Sequence, residues 1–438
     1  MNTQKMSLLC KLIFGMAMFY AMSVVAAPVE YSLVYSANLD GELEPCGCSI
    51  EGNSGGILRR AQTLDLLRAE DPNIFALSAG GLINNSLTEE RLKSRYIFDG
   101  YAQIGYDAVG VQWSDIRYGV DFTKHESMSW VSSNWLGNDF EKSRIVKRGD
   151  KTLAFFSWLA PELSPYRAMQ GHHAVVNVSI EPLLKELKQA RKLGMLVVVT
   201  STYTLEQAQQ QLPLEYIDVL MIKSAYEEYA APKMIDGTLL LQAGSRGLRL
   251  GKLDIEFSAG EGVSAWQHEV ISLPPTVANA ERLEAWYQAY NDDVAAAYNA
   301  SVIAKREARK SGIVSPFIGE KACKACHTQE HVVFKKTRHA KAFSTLERVN
   351  KAFDPECIAC HSVGFNKKGG FIDVESTKYL KNVQCESCHG EGREHAESAG
   401  KMPLGHESWQ PTQMCAQCHT QPHSPSFNFA DYITKIRH

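Results

Sequence analysis

Four segments in the last quarter of this 438-residue chain share one pattern of cysteine, two spacer residues, cysteine and histidine. They are Cys323-Lys324-Ala325-Cys326-His327, Cys357-Ile358-Ala359-Cys360-His361, Cys385-Glu386-Ser387-Cys388-His389 and Cys415-Ala416-Gln417-Cys418-His419. Two thiols three residues apart can each form a thioether to a vinyl group of one haem, while the adjacent histidine becomes the proximal iron ligand. With 11 Cys and 14 His in the chain, chance yields about 0.01 such segments. The four therefore read as covalent attachment sites for haem c, four haems in all.

The same region carries six further histidines, His331, His339, His395, His406, His423 and His438, against at most four sixth-ligand positions. An iron bound by two histidines is saturated and suits electron transfer, whereas an open sixth position permits ligand binding or catalysis. Residue types alone leave that choice open at each iron.

The start of the chain agrees with haem attachment outside the cytoplasm. Lys5 and Lys11 precede an apolar run from Leu12 to Val25, and Val24-Val25-Ala26 followed by Ala27-Pro28 predicts cleavage after Ala26, so residues 1–26 read as a Sec-type signal peptide. The run falls short of the roughly 20 residues that span a bilayer, so the expectation is an exported, periplasmic protein with no stable membrane insertion after cleavage. Cys10 lies within the signal and eight cysteines in the motifs, which leaves Cys46 and Cys48. No disulfide framework is available. A disulfide between cysteines one residue apart is strained and reducible, so this pair reads as an ordered loop, as a redox or sulfur-handling site, or as a metal or thiophilic-ligand site.

The elements that must position these residues fall into three stretches. Over 27–275, short β-rich runs alternate with helical ones: Tyr31–Ala37, Ile74–Ser78, Ala108–Val111, Leu153–Trp158, Leu196–Thr200, Val219–Ile222, Leu239–Leu241 and Leu250–Phe257 predict strands, several of them continuously apolar and so buried on both faces. Ile57–Arg68, Glu89–Gln103, Pro182–Lys192 and Leu205–Gln211 predict helices, giving an α/β fold. After Pro274-Pro275, a linker segment 276–311 is helical from Ala278 to about Lys310, with Leu283, Trp286, Tyr287, Tyr290, Val294 and Tyr298 on one stripe. From 312 to 438 both periodicities largely vanish and the motif cysteines recur at intervals of 34, 28 and 30 residues. So few residues per macrocycle cannot build a conventional core around each one, so the porphyrins are expected to be the core, close together.

The whole chain has a formal charge of −3. Residues 312–438 hold 16 basic and 13 acidic side chains, and residues 27–311 hold 28 and 36. Neither half offers the basic surface that nucleic acid requires.

The motif order and spacing, with Thr337-Arg338-His339-Ala340-Lys341-Ala342-Phe343, His361-Ser362-Val363-Gly364 and His389-Gly390-Glu391-Gly392-Arg393-Glu394-His395, resemble the cytochrome c554 family of tetrahaem cytochromes over roughly 120 residues. The resemblance implies low-potential electron transfer in the periplasm through stacked haem pairs, most irons being bound by two histidines, and redox proteins as partners. It makes His339 and His395 distal ligands and favours His438. His331 and His423 compete for the remaining position, and His406 reads as solvent-exposed.

Tyr35-Ser36-Ala37-Asn38-Leu39-Asp40-Gly41-Glu42-Leu43-Glu44-Pro45-Cys46-Gly47-Cys48, Gly55 to Arg60, Ile104 to Val109 and Gln242 to Gly247 resemble 5′-nucleotidase-like metallophosphoesterases of a Pro-Cys-Gly-Cys subgroup. The implied fold is a sandwich of two sheets flanked by helices. Such enzymes hold two divalent metals, but where that family has Asp-x-His this chain has Asn38-Leu39-Asp40, and for Asp-Ala-Gly-Asp it has Ser78-Ala79-Gly80-Gly81. Gly-Asn-His-Asp/Glu becomes Val111-Gln112-Trp113-Ser114-Asp115, and Gly-His-x-His becomes Lys223-Ser224-Ala225-Tyr226. His125, His172, His173 and His268 lie elsewhere and read as solvated. The expectation is an electron carrier rather than a hydrolase, with the N-terminal domain as a docking or recognition module that has lost its metals. The alternatives are an oxidoreductase acting on a small nitrogen or sulfur compound at an open haem or at Cys46/Cys48, and, more remotely, a metal-dependent phosphoesterase.

Overall fold

A computed structural model of the chain describes residues 28–45, 53–84, 91–124, 127–168, 175–223, 228–310, 312, 314–406, 408–420, 423–424 and 426–438. The signal segment, Cys46, Cys48, His125, His172, His173 and Ser224 to Tyr226 lie outside the described residues.

Among the described residues twelve strands run in the order β1 (Val29–Ser36), β2 (Phe75–Ser78), β3 (Ala108–Gly110), β4 (Trp130–Val131), β5 (Arg144–Arg148), β6 (Lys151–Trp158), β7 (Leu196–Ser201), β8 (Val219–Lys223), β9 (Lys233–Ile235), β10 (Thr238–Ala243), β11 (Arg249–Ser258) and β12 (Gly262–Ser272). They form two six-stranded sheets, β12-β11-β1-β2-β3-β4 and β5-β6-β7-β8-β10-β9. Parallel strands fill each centre, and antiparallel strands (β11 and β12; β5 and β9) lie toward the margins.

Period-two alternation sends the two sets of side chains of β1 to different cores. Tyr31, Leu33 and Tyr35 meet Leu153, Phe155, Val198, Val219, Met221 and Leu241 of the other sheet between the layers. Val34, on the opposite face, packs beneath the helices Ile57–Glu70 and Arg91–Ile104 through Ile57, Ala61, Leu64, Ile97 and Tyr101. The second sheet buries Phe156, Val197 and Val199 against Leu183 and Leu187 of the helix Glu181–Lys192. The result is the helix–sheet–sheet–helix layering expected of the α/β sandwich.

Four strands escaped the sequence pattern. Residues of β12 are mostly exposed, with Trp266 37% and Val270 37% accessible, so no buried alternation announces it. β4 and β9 are two and three residues long, and β5 buries only Val146.

The helix after the sandwich spans Glu284–Lys310, preceded by a 3₁₀ turn Glu281–Leu283, so residues 278–280 are not helical as expected. Its first half buries Trp286 and Tyr290 in the N-terminal core. Its second half places Tyr298 and Val302 in a separate cluster with Phe317, Phe343, Leu346, Ile358, Val363, Phe371 and Leu380. A conventional apolar core therefore exists in the C-terminal region, which the sequence did not lead one to expect, and it is built around the second motif through Ile358. Among the described residues of 401–438 none is buried. Short helices, among them Thr328–Lys336, Phe343–Arg348, Pro355–His361 and Cys385–His389, alternate with irregular chain, the mixed irregular and α character expected of this region. Among the described residues, no helix is long and apolar enough to cross a membrane.

Candidate haem sites and the N-terminal cleft

Each motif sits on or beside a helical turn, because cysteines at i and i+3 then share a face and the histidine at i+4 falls beneath them. The backbone N–H of His327 donates to Cys323 O at 3.0 Å, and that of His419 to Cys415 O at 2.8 Å. Asp354 caps the second motif's helix by accepting from Glu356 N, with Pro355 at its first turn. Gln384 and Ser387 form a reciprocal cap at the third.

Three motif histidines are faced by a second histidine. The ring centroids of His327 and His395 are 6.2 Å apart, those of His419 and His339 6.1 Å, and those of His389 and His438 5.9 Å. These distances are longer than the 4.1 Å of the face-to-face pair His406 and Trp409. A metal–imidazole bond of about 2.0 Å on each side, with about 1.1 Å from nitrogen to ring centre, sets two centroids about 6 Å apart. The three pairs thus fit bis-histidine ligation of an iron lying between them.

Hydrogen bonds orient the rings for that role. The Nδ1 atoms of His361, His395 and His438 meet the carbonyl oxygens of Ala342 (2.7 Å), Met402 (2.7 Å) and Ile436 (3.0 Å). A carbonyl only accepts, so each Nδ1 carries the proton and each Nε2 keeps its lone pair for a metal. Burial lowers the basicity of His339, His361, His389 and His419 below the ordinary histidine range, which favours the neutral ligand form.

The remaining candidates behave differently. His331 turns its Nε2 to the Glu320 carboxylate and faces no motif histidine. His423 lies exposed in a turn closed by its N–H to Thr420 O. His406, read as solvent-exposed, is instead half-buried: it stacks on Trp409 at 4.1 Å, and its Nδ1 donates to Cys388 O at 3.0 Å. For His361 no facing histidine ring is found among the described residues, and His339, nearby, is directed to His419. The sulfurs also lie in neighbouring pairs, Cys323 beside Cys385 and Cys360 beside Cys418. Motifs one and three therefore adjoin, as do motifs two and four. Cys326, Cys357, Cys388 and Cys415 complete the motifs, none of them in a disulfide.

The strand ends of the first sheet carry the positions where a two-metal site would stand. Asn38 and Gln112 lock together there, Gln112 Nε2 donating to Asn38 Oδ1 at 3.1 Å and Asn38 Nδ2 to Gln112 Oε1 at 3.3 Å. Gly81 has φ +72°, and a Cβ on it would lie 2.5 Å from Asn38 Nδ2. Asp40 receives the Lys223 ammonium at 3.6 Å and the N–H of Arg246 at 3.3 Å. Trp113, in place of a ligand histidine, donates to Ala160 O. Among the described residues no group of three His, Cys, Asp or Glu could hold a metal ion. The Lys223 ammonium and the Asn38–Gln112 amide pair stand at these strand ends. His268, read as solvated, is half-buried with its Nε2 2.9 Å from Tyr35 Oη.

Two kinds of likeness to known proteins follow the same division. Residues 322–390 match the family model described as cytochrome c554 and c-prime. Cytochrome c-554 of Nitrosomonas europaea is 42% identical over 95 residues, 18% of this chain and 40% of that protein, so the match spans less than half of the relative. In fold, the chain is similar to a 5′-nucleotidase precursor from Thermus thermophilus, with a TM-score of 0.52 and 19% identity over 61% of this chain and 59% of that one. It is also similar to the sulfate thiohydrolase SoxB of the same organism, with a TM-score of 0.51 and 16% identity over 60% of each chain. Together these describe a 5′-nucleotidase-like sandwich fold followed by a region that resembles cytochrome c554.

Sequence reasoning missed several residues that organise these sites: Glu386 and Gln384 within and before the third motif, and Lys93, Glu44 and Lys351 between the sandwich and the second motif. Each acts through partners more than 60 residues away, a relationship no local pattern reports.

Proposed function

We propose that this chain is an exported tetrahaem c-type cytochrome that passes electrons between redox proteins of the periplasm. The observation that carries this reading is the set of three histidine pairs, His327/His395, His419/His339 and His389/His438, each at the spacing two imidazoles take across one iron. Haem iron held in this way exchanges single electrons and has no vacant position for substrate. Backbone carbonyls turn the rings of His395 and His438 toward this role, and the first and third motifs lie next to each other, as do the second and fourth. The 5′-nucleotidase-like sandwich serves as a docking or recognition module, a reading supported by the Asn38–Gln112 lock and by Lys223 beside Asp40.

A second reading concerns His361. With no facing histidine among the described residues, the second motif is the one place where an iron would keep an open sixth position and act on a small nitrogen or sulfur compound. EPR of the oxidised protein tests both readings. Three low-spin irons and one high-spin iron per chain are expected. Four low-spin signals would remove the second reading, and two or more high-spin signals would contradict the assigned pairs.

A further inference from the structure

Glu386 stands between the two cysteines of the third motif, where a side chain ordinarily faces solvent, yet it is only 3% exposed. Its carboxylate accepts backbone hydrogen bonds from three places. Ile318 N donates to both oxygens at 3.1 Å, Gly319 N to Oε2 at 2.8 Å and Gly392 N to Oε1 at 2.9 Å. Gly319 immediately precedes the helix Glu320–Cys323, which carries the first cysteine of the first motif. Gly392 immediately precedes the helix Arg393–Glu397, which carries His395. A Cβ at position 392 would lie 3.0 Å from Glu386 Oε1, so glycine there admits the carboxylate.

Neighbouring contacts tighten the same joint. Gln384 Oε1 accepts from Glu320 N at 2.7 Å, and its Nε2 donates to Tyr379 O at 2.8 Å and Lys381 O at 2.7 Å. Arg393 N donates to Pro316 O at 3.0 Å, and its Nε donates to Ser315 O. The chain entering the first motif is thus gripped by the third motif and by the segment leading to the histidine that faces His327.

We propose that Glu386 is the positioning residue that sets the first histidine pair, His327 and His395, and the spacing between the first and third motifs. From the third motif it bonds both segments that bring those histidines together. Two oxygens meeting three N–H groups, two of them buried, make a rigid staple, since each buried group released would be a donor without an acceptor. The adjacency of the Cys323 and Cys385 sulfurs follows from the same staple. The inference rests on the reading that the motifs carry haem.

The test compares wild type with Glu386→Ala and Glu386→Gln, with Gln417→Ala as control, because Gln417 occupies a spacer position of the fourth motif and its side chain donates to Met414 O within the same turn. Intact mass first establishes haem content. EPR of the oxidised protein and a spectroelectrochemical titration follow. Glu386→Ala is expected to keep its full haem complement while one low-spin signal shifts or converts to high spin and the potentials of two haems move. Glu386→Gln, which keeps an acceptor oxygen, is expected to restore the low-spin signal in part, and Gln417→Ala to match wild type. Unchanged EPR and potentials in Glu386→Ala would overturn the proposal, as would equal disturbance of every haem signal. Absence of haem from the wild type would instead overturn the reading on which it rests.

Discussion

The Lys351 ammonium lies 2.6 Å from a carboxylate oxygen of Glu44, joining the segment before the second motif to the loop that leaves β1 of the sandwich. Lys351 also donates to Asn291 Oδ1 at 2.7 Å, sits 3.7 Å from Asp354, and lies over the rings of Tyr287, Tyr290 and Phe353 at 5.5, 5.6 and 5.8 Å. Opposite charge and aromatic faces hold the ammonium from several sides. The loop leaving β1 thus clasps the neighbourhood of the second motif.

Replacing this ammonium should loosen the two parts of the molecule. Lys351→Met removes the cation that Glu44 and Asp354 share, a cost of about 2 kcal/mol for a partly buried pair. Thermal unfolding should then separate into two transitions and the junction should become sensitive to protease. A single transition at the wild-type temperature would show that the contact adds nothing.

A second contact at the same face permits a charge-swap test. Lys93 Nζ meets both oxygens of Glu356, at 3.0 and 2.9 Å, and Glu356 directly precedes Cys357. Lys93→Glu and Glu356→Lys should each destabilise, and the double variant should recover about 1 kcal/mol relative to their sum. Strict additivity of the two single effects would mean that the pair is not coupled in solution.

The cleft makes its own prediction. Gly81→Asp returns a carboxylate to a lost ligand position, but the φ of +72° and the 2.5 Å approach to Asn38 Nδ2 leave no room for it. The variant should lose about 2 to 4 kcal/mol of stability and should take up no manganese or zinc by metal analysis. Stoichiometric metal together with phosphatase activity would restore the hydrolase reading.

How much of this was legible in the sequence follows from the range of the interactions. Motif cysteines and histidines announce themselves because one helical turn sets their spacing. The central strands do so because both faces are buried. His339 and His395 stood out only by resemblance, since they face motif histidines 80 and 68 residues away. The helix Pro355–His361 and its neighbours are too short to show a 3.6-residue period. Glu386 and Lys351 look like surface charges until the fold brings buried amides and an aromatic cage to them.

Stability should depend on pH through His268. Tyr35 is fully buried and its hydroxyl meets His268 Nε2 at 2.9 Å, while burial lowers the histidine's pKa below its ordinary value. Only the neutral ring accepts a hydrogen bond from the Tyr35 hydroxyl. The folded state thus binds this proton less readily than the unfolded chain, so the contribution is present above the unfolded pKa of about 6.5 and is lost as pH falls through the lower folded value. Melting temperatures from pH 7.5 to 5 should fall more steeply in wild type than in His268→Gln, the difference amounting to about 1 kcal/mol, one side-chain hydrogen bond. Parallel curves would remove His268 from the account.

The central claim is that all four Cys-x-x-Cys-His segments carry covalent haem, and the intact mass of the denatured protein tests it most directly. The account predicts one species, the chain from about Ala27 plus four haems, with none of the eight motif cysteines open to alkylation. A mass corresponding to three haems or fewer, with a motif pair taking up the alkylating reagent, would contradict it.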